Sequence, residues 1–121
     1  MSTAQHPQKT ALMVAGGTGG HIFPGLAVAH ALRDQGWNVH WLGGPDSMES
    51  RIVPTQGLAF ESIVFSGVRG KGAAALLGMP GRLLKAIAQS RAVLQRLRPQ
   101  VVIGMGGYIT APAGLAAASL G

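Results

Sequence analysis

Glycine occupies four of the five positions from Gly16 to Gly20, between an apolar run at 11–15 and a helix-like pattern at 24–35. Because glycine has no Cβ atom, a segment so rich in it can turn sharply and approach another group closely. Pro24 suits the first turn of a helix, where its missing N–H costs no hydrogen bond. The sequence therefore predicts a strand, a glycine-rich turn and a helix that begins at residue 24.

A strand–turn–helix unit of this kind favours anions, because the turn and the helix start offer free N–H groups and a positive dipole end. Two common codes are absent: no Lys-Ser/Thr pair follows the glycines as in a P-loop, and Ile22 replaces the third glycine of a dinucleotide-binding motif. His21 instead places an imidazole at the mouth of the turn, where a general base can act. The alternative is that His21 caps the helix or makes a structural hydrogen bond.

Composition limits the chain to one small globular domain. It has 121 residues, of which 47% are hydrophobic and 12% are charged. Cysteine is absent, which excludes disulfide and thiolate chemistry. We expect residues 1–9 to form a polar tail rather than a signal peptide, and no apolar run is long enough to span a bilayer.

The positive charge is concentrated in the second half of the chain. The net charge is +6, and seven basic residues follow Glu61 without any acid. A positively charged half of the chain favours binding to phosphate groups, whether of a nucleic acid, of lipid head groups or of a diphosphate substrate. We do not expect nucleic acid as a partner, because no aromatic residues are interleaved with the basic ones as stacking platforms.

Strands and helices alternate along the chain, as a parallel sheet with helical crossovers requires. We predict strands at about 10–15, 38–42, 59–65 and 101–105, and helical segments at 24–35, 46–54, 82–98 and 111–119. In the helix at 82–98, the predicted core face consists of Leu83, Ile87, Leu94 and Leu97. The predicted fold class is α/β, a Rossmann-like parallel sheet with helices on both faces, in a domain that covers residues 10–121.

A second glycine-rich segment, Gly104-Met-Gly-Gly-Tyr108, lies at the end of the fourth predicted strand. The carboxyl ends of parallel strands share one edge of the sheet, and open α/β sheets bind ligands in the crevice at that edge. We therefore expect the two glycine-rich segments to face one crevice.

The segment 66–85 is basic, apolar and rich in glycine, without a clear core period. Apolar burial and attraction to anionic lipids reinforce each other at a membrane surface, so the segment predicts a membrane contact. The alternative is a plain flexible loop. The residues assigned to the contact are Arg69, Lys71, Leu76, Leu77, Met79, Arg82 and Lys85.

Five motifs together resemble the MurG family of bacterial glycosyltransferases. They are Gly16-Gly-Thr-Gly-Gly-His21, Pro24-Gly-Leu-Ala27, Trp41-Leu-Gly43, Ser66-Gly-Val-Arg-Gly-Lys-Gly72 and Gly104-Met-Gly-Gly-Tyr108. Members of that family transfer GlcNAc from UDP-GlcNAc to undecaprenyl-diphosphate-linked MurNAc-pentapeptide in peptidoglycan synthesis. The resemblance implies a GT-B fold with two Rossmann-like domains, an inverting reaction, and a peripheral location on the cytoplasmic face of the inner membrane.

The resemblance also implies roles for individual residues. His21 would be the catalytic base for the acceptor hydroxyl, and Thr18, Gly19 and Gly20 would contact the donor sugar. The residues that would cradle the acceptor diphosphate are Gly16, Gly17, Gly104, Gly106, Gly107 and Tyr108. Neither a metal nor another cofactor is implied.

By the same resemblance, the chain would be the truncated N-terminal, acceptor-binding domain of a GT-B glycosyltransferase, and we expect it to be inactive alone. Its implied partners are UDP-GlcNAc, the lipid-linked MurNAc-pentapeptide, an anionic membrane surface and the missing C-terminal domain, with no nucleic acid. The alternative is a non-catalytic membrane-docking subunit that binds the acceptor and recruits a separate donor-binding chain.

Overall fold

A computed structural model of the protein describes residues 9–17, 19–64, 79–106 and 109–120. Its elements are β1 (Thr10–Ala15), α1 (Gly19–Asp34), β2 (Asn38–Gly43), α2 (Met48–Ile52), β3 (Ala59–Ser62), α3 (Met79–Leu97), β4 (Val101–Gly106) and α4 (Thr110–Leu120). A short 3-10 turn, Val53–Gln56, extends α2. Each predicted strand and helical segment is present, which confirms the α/β fold class.

The described strands form one parallel sheet in the order β3-β2-β1-β4. β1 pairs with β2 on one side, from Thr10↔Asn38 to Val14↔Leu42, and with β4 on the other. Parallel neighbours need crossover connections, and α1 lies on the one between β1 and β2. β1 is therefore the central strand, and its residues 11–15 are all at most 1% exposed.

Successive side chains of β1 point to opposite faces of the sheet, and each face has its own apolar core. Leu12 and Val14 pack with buried residues of α3 and α4, whereas Met13 and Ala15 pack with those of α1. Burial on both faces explains why the sequence of β1 is continuously apolar. The predicted layering, with helices on both faces of the sheet, is confirmed.

The start of α1 predicted from the sequence is wrong. The helix begins at Gly19 rather than at residue 24, so His21 lies in its first turn and Pro24 lies inside it. Pro24 removes only the hydrogen bond to the carbonyl of Gly20, and Gly20 is exposed, so water can replace that bond. Only residues 16–18 then separate β1 from α1.

Two other boundaries differ by three residues from their prediction. β3 ends at Ser62 rather than at 65, because its partner strand β2 ends at Gly43, opposite Ser62. The helix α3 begins at Met79 rather than at 82. Its predicted core face is confirmed, since Leu94 is buried and the other three apolar residues of that face pack against the same core.

The two tryptophans lie on either side of the start of β2 and differ in burial. Trp41 is fully buried, and its Nε1–H donates a hydrogen bond of 3.0 Å to the carbonyl of Ala15. Trp37 is half-buried, with the Lys9 ammonium 5.5 Å from its ring centroid. Trp41 therefore supports the end of the central strand, whereas Trp37 covers a partly solvated position.

We expect Trp41→Phe to lower the free energy of unfolding by about 2–3 kcal/mol, because it leaves a cavity and removes a buried hydrogen bond to the carbonyl of Ala15. Urea denaturation measures the change. Trp37→Phe is the matched control and should cost less than about 1 kcal/mol. Equal losses in the two variants would contradict this assignment.

Candidate functional site

The carboxyl ends of β1 and β4 lie side by side, and a bulge marks the point where both strands end. Val14 pairs with Gly104 and Ala15 pairs with Gly106, so Met105 is an extra residue on β4. A bulge interrupts the hydrogen-bond ladder and redirects local groups, and bulges are frequent beside active sites. The two glycine-rich segments therefore start at neighbouring points of one sheet edge, as the sequence predicted.

His21 bridges this junction. It is the third residue of α1, it is half-buried, and its Nδ1 lies 3.1 Å from the carbonyl oxygen of Met105. Because a carbonyl oxygen only accepts hydrogen bonds, Nδ1 must carry the proton. In the neutral ring Nε2 then holds the lone pair. The structural hydrogen bond considered from the sequence is thus present, and it leaves Nε2 as the basic nitrogen.

Residue 106 has to be glycine because the imidazole lies against it. Gly106 has a φ of +107°, which L side chains rarely adopt. A Cβ at this position would also lie 2.8 Å from Nδ1 of His21, closer than atoms pack in proteins. One glycine of the second segment is therefore explained by contact with the first segment.

A buried glutamate beneath the first glycine-rich segment is a residue that the sequence analysis missed. Glu49 lies in α2, and its side chain is fully buried. It accepts hydrogen bonds from the N–H of Gly17, at 3.2 Å, and from the N–H of Gly44, at 2.9 Å. A local sequence pattern could have indicated the position of Glu49. Ser47 and Ser50 form a capping box that starts a helix just after β2 and fixes Glu49 within it.

Gly16 and Gly43 provide the space that Glu49 occupies. A Cβ on Gly16 would overlap Oε2 of Glu49, and one on Gly43 would lie 2.5 Å from its Cγ. Both glycines are buried. Gly16 therefore has a packing role inside the protein, and its predicted contact with the acceptor diphosphate stays a prediction.

The start of α1 presents accessible backbone. Gly17 and Gly20 are exposed, and Gly19 is half-buried beneath Phe23, whose side chain is 59% exposed. The first four N–H groups of an α-helix have no acceptor within the helix, so those of Gly19 and Gly20 are left to bind water or a ligand. Three predicted site residues lie outside the described residues: Thr18, Gly107 and Tyr108.

Most of the predicted membrane contact also lies outside the described residues. These positions are Arg69, Lys71, Leu76, Leu77 and the side chain of Met79. In the first two turns of α3, Arg82 is half-buried and Lys85 is exposed, and Leu84 beside them is 67% exposed. Further along, Arg96 forms an ion pair with Glu61, which neutralises part of the basic half. Over the described ranges, no helix has the length and apolar character needed to cross a bilayer.

Within the part of the chain that the structure describes, no three His, Cys, Asp or Glu side chains come together as a metal site. A cleft of about 560 Å³ lies at the amino-terminal edge of the sheet, among the end of α3, the start of β4 and α4. None of the predicted site residues lines this cleft. The candidate site is instead the open surface at the carboxyl edge.

Known proteins resemble this chain over most of its length. The model of the glycosyltransferase family 28 N-terminal domain matches residues 11–121. A UDP-N-acetylglucosamine--N-acetylmuramyl-(pentapeptide) pyrophosphoryl-undecaprenol N-acetylglucosamine transferase of Acidovorax sp. (strain JS42) is 66% identical over 110 residues, which are 91% of this chain and 28% of that protein. The transferase of the same name from Paracidovorax citrulli (strain AAC00-1) is 65% identical over 116 residues, 96% of this chain and 32% of the relative.

A solved structure is also similar. The crystal structure of Acinetobacter baumannii MurG has a TM-score of 0.80 and 42% sequence identity, over 93% of this chain and 33% of that one. This agrees with the predicted fold of a GT-B N-terminal domain. The chain spans about a third of the length of these relatives.

We expect Gly106→Ala to displace the His21 ring and to lower the free energy of unfolding by about 1–3 kcal/mol, because its φ is strained for alanine and its methyl group meets the imidazole. Denaturation measures the stability, and the ring ¹⁵N signals of His21 report the displacement. Gly114→Ala in α4 is the control, since a Cβ there meets nothing within 4 Å. Unchanged His21 signals in Gly106→Ala would contradict the predicted clash.

Proposed function

We propose that the chain is the acceptor-binding part of a transferase, because it belongs to glycosyltransferase family 28 and matches the N-terminal domain of that family. This transferase would move GlcNAc from UDP-GlcNAc to lipid-linked MurNAc-pentapeptide. Relatives named for this reaction are 65–66% identical to the chain. The observation that carries the proposal is the hydrogen bond from His21 to Met105, which sets a basic nitrogen between the two glycine-rich segments. The rest of such a transferase would hold most of the contacts to the UDP part of UDP-GlcNAc.

His21 is the general base of the proposed reaction. A hydroxyl oxygen of MurNAc attacks the anomeric carbon of GlcNAc, the bond from that carbon to UDP breaks, and the configuration inverts. Nε2 takes the proton of the hydroxyl, and UDP leaves with the bonding electron pair. The Met105 carbonyl supports this step, because it fixes the orientation of the ring and stabilises the imidazolium that forms.

The glycine-rich segments bind the phosphates and the sugar. The first turn of α1 offers N–H groups without an acceptor in the helix, and the helix dipole adds positive potential there. Gly17 is exposed, but its N–H is bonded to Glu49, so it would line the site without donating that N–H. We assign the donor sugar to Thr18, Gly19 and Gly20. We assign the acceptor diphosphate to Gly16, Gly17, Gly104, Gly106, Gly107 and Tyr108.

The acceptor named in the relatives carries an undecaprenol chain, which has to remain in a bilayer. A transferase acting on it must therefore come to the membrane surface. We propose peripheral attachment at the cytoplasmic face of the inner membrane through the segment 66–85, of which Leu84 and Lys85 are exposed. An apolar side chain next to a cation matches the two forces that hold proteins at anionic bilayers.

The test of the reaction uses a hybrid transferase, in which residues 11–121 replace the matching part of the Acidovorax relative. We expect His21→Ala to lower kcat/KM of the hybrid by about 10²–10⁴, because the acceptor hydroxyl loses its base. The rate of UDP release in the presence of lipid-linked acceptor is the measurement.

His30→Ala is the matched control, since His30 lies in the same helix and bonds to Gln56 away from the sheet edge. Its kcat/KM should stay within about twofold of the unmodified hybrid. An active His21→Ala hybrid would remove the base role. An unmodified hybrid without transferase activity would count against the function itself.

The membrane attachment has its own test, the co-sedimentation of the chain with anionic vesicles. We expect Leu84→Ala combined with Lys85→Glu to weaken binding by about tenfold, because apolar area and two units of charge are lost at the surface. Arg98→Glu is the control, with the same charge change just beyond the end of α3, about 20 Å from Lys85 in the direction of the helix axis. Vesicles doped with a polyprenyl-diphosphate sugar should bind more chain. An equal loss of vesicle binding in the Leu84→Ala, Lys85→Glu double variant and in Arg98→Glu would indicate unspecific charge attraction.

A further inference from the structure

We infer that Glu49 is a positioning residue: its buried side chain holds Gly16 and Gly17, at the beginning of the first glycine-rich segment, and thereby sets the start of α1 and the place of His21. Glu49 has no exposed surface, so it acts through its neighbours and does not touch a substrate. The effect on catalysis rests on the proposed function. The effect on the backbone does not.

The two carboxylate oxygens contact two different parts of the chain. Oε1 accepts from the N–H of Gly17, just after β1, and Oε2 accepts from the N–H of Gly44, just after β2. β1 and β2 are neighbours in the sheet. Hydrogen bonds to a charged acceptor are stronger than those between neutral groups, so this side chain ties together the segments that leave both strands.

Two glycines next to Glu49 provide the space for its side chain. Gly16 and Gly43 both lie where a Cβ would overlap the glutamate. If this space only needed filling, an apolar side chain would do so without the desolvation cost of a carboxyl group. Two bonded backbone N–H groups offset that cost, which argues that the side chain is retained for the hydrogen bonds.

Glu49 is itself held in place. Its neighbours Ser47 and Ser50 bond reciprocally, with the N–H of Ser47 donating to Oγ of Ser50 at 2.8 Å and the N–H of Ser50 donating to Oγ of Ser47 at 3.1 Å. This capping box fixes the first turn of α2 and with it the backbone of Glu49. The carboxylate therefore extends to the sheet edge from a helical turn whose backbone is held by hydrogen bonds.

The link from Glu49 to His21 is short. Gly17 adopts a φ of +100° where the chain turns from β1 towards α1, and His21 is the third residue of that helix. Gly17 is two residues before Gly19, where α1 begins, so a shift of Gly17 would displace the first turn of the helix and with it the imidazole. The Met105 carbonyl holds the ring from the β4 side. His21 is thus anchored through both glycine-rich segments, and Glu49 supplies the anchor of the first.

Three variants separate positioning from space filling. Glu49→Gln keeps the shape, but its amide accepts at one oxygen only and presents N–H groups to the other donor. Gly43→Ala combined with Glu49→Ala removes the carboxylate and relieves the overlap at Gly43, so it tests packing without the hydrogen bonds. Glu61→Gln is the control, the same chemical change at a glutamate of β3 that pairs with Arg96.

We expect kcat/KM of the hybrid transferase to fall about ten- to hundredfold in Glu49→Gln and in the double variant, because the imidazole is misplaced. The assay is run at a temperature at which circular dichroism shows every variant folded. Glu61→Gln should keep its kcat/KM within about twofold. A folded double variant with unchanged kcat/KM would show that Glu49 only fills space, and would overturn the proposal.

Amide hydrogen exchange of the 121-residue chain gives a readout without activity. Loss of the carboxylate should speed exchange at Gly17 and Gly44 by about tenfold or more, while Glu61→Gln leaves both unchanged. If the unmodified hybrid transfers no sugar, the proposed function fails and exchange alone decides the positioning. Unchanged exchange at Gly17 would overturn it. If Glu49→Gln does not fold, the double variant supplies both readouts.

Discussion

The burial of β1 between two strands and two helical layers is the constraint on which the rest of the structure depends. Its residues 11–15 are enclosed by the two neighbouring strands and by the helices on both faces of the sheet. The chain therefore becomes accessible only where this strand ends, at the edge of the sheet. The neighbouring parallel strands β2 and β4 end at the same edge. The described groups of the candidate site lie there: the first turn of α1, the bulge at Met105 and the carboxylate of Glu49.

Close approach of backbone and side chain explains the glycines of this edge better than flexibility does. Gly16 and Gly43 admit Glu49, and Gly106 admits the ring of His21. In each case the missing Cβ serves a contact within the protein. Gly106 is half-buried, so a packing role and a ligand-binding role are compatible there, whereas Gly16 and Gly43 are buried.

Some basic residues in the second half of the chain form ion pairs or hydrogen bonds within the protein, and others are exposed. Arg96 pairs with Glu61, and Arg91 bonds to the hydroxyl of Ser119. Lys85 and Leu84 remain exposed near the start of α3, where the basic and apolar segment of the sequence joins the helix. A membrane contact would therefore depend on the position of a few side chains rather than on the net charge of +6.

The sequence by itself determined the fold class, the order of the elements and the two strands that carry the glycine-rich segments, because hydrophobic periodicity and glycine placement are local properties. It also singled out His21. Tertiary structure decided what the sequence pattern could not: α1 begins before Pro24, Nδ1 of His21 bonds to Met105, and Glu49 lies beneath Gly16. Each of these joins residues that are distant in the chain, or depends on solvent replacing a lost hydrogen bond. Such relations exist only once the strands lie side by side.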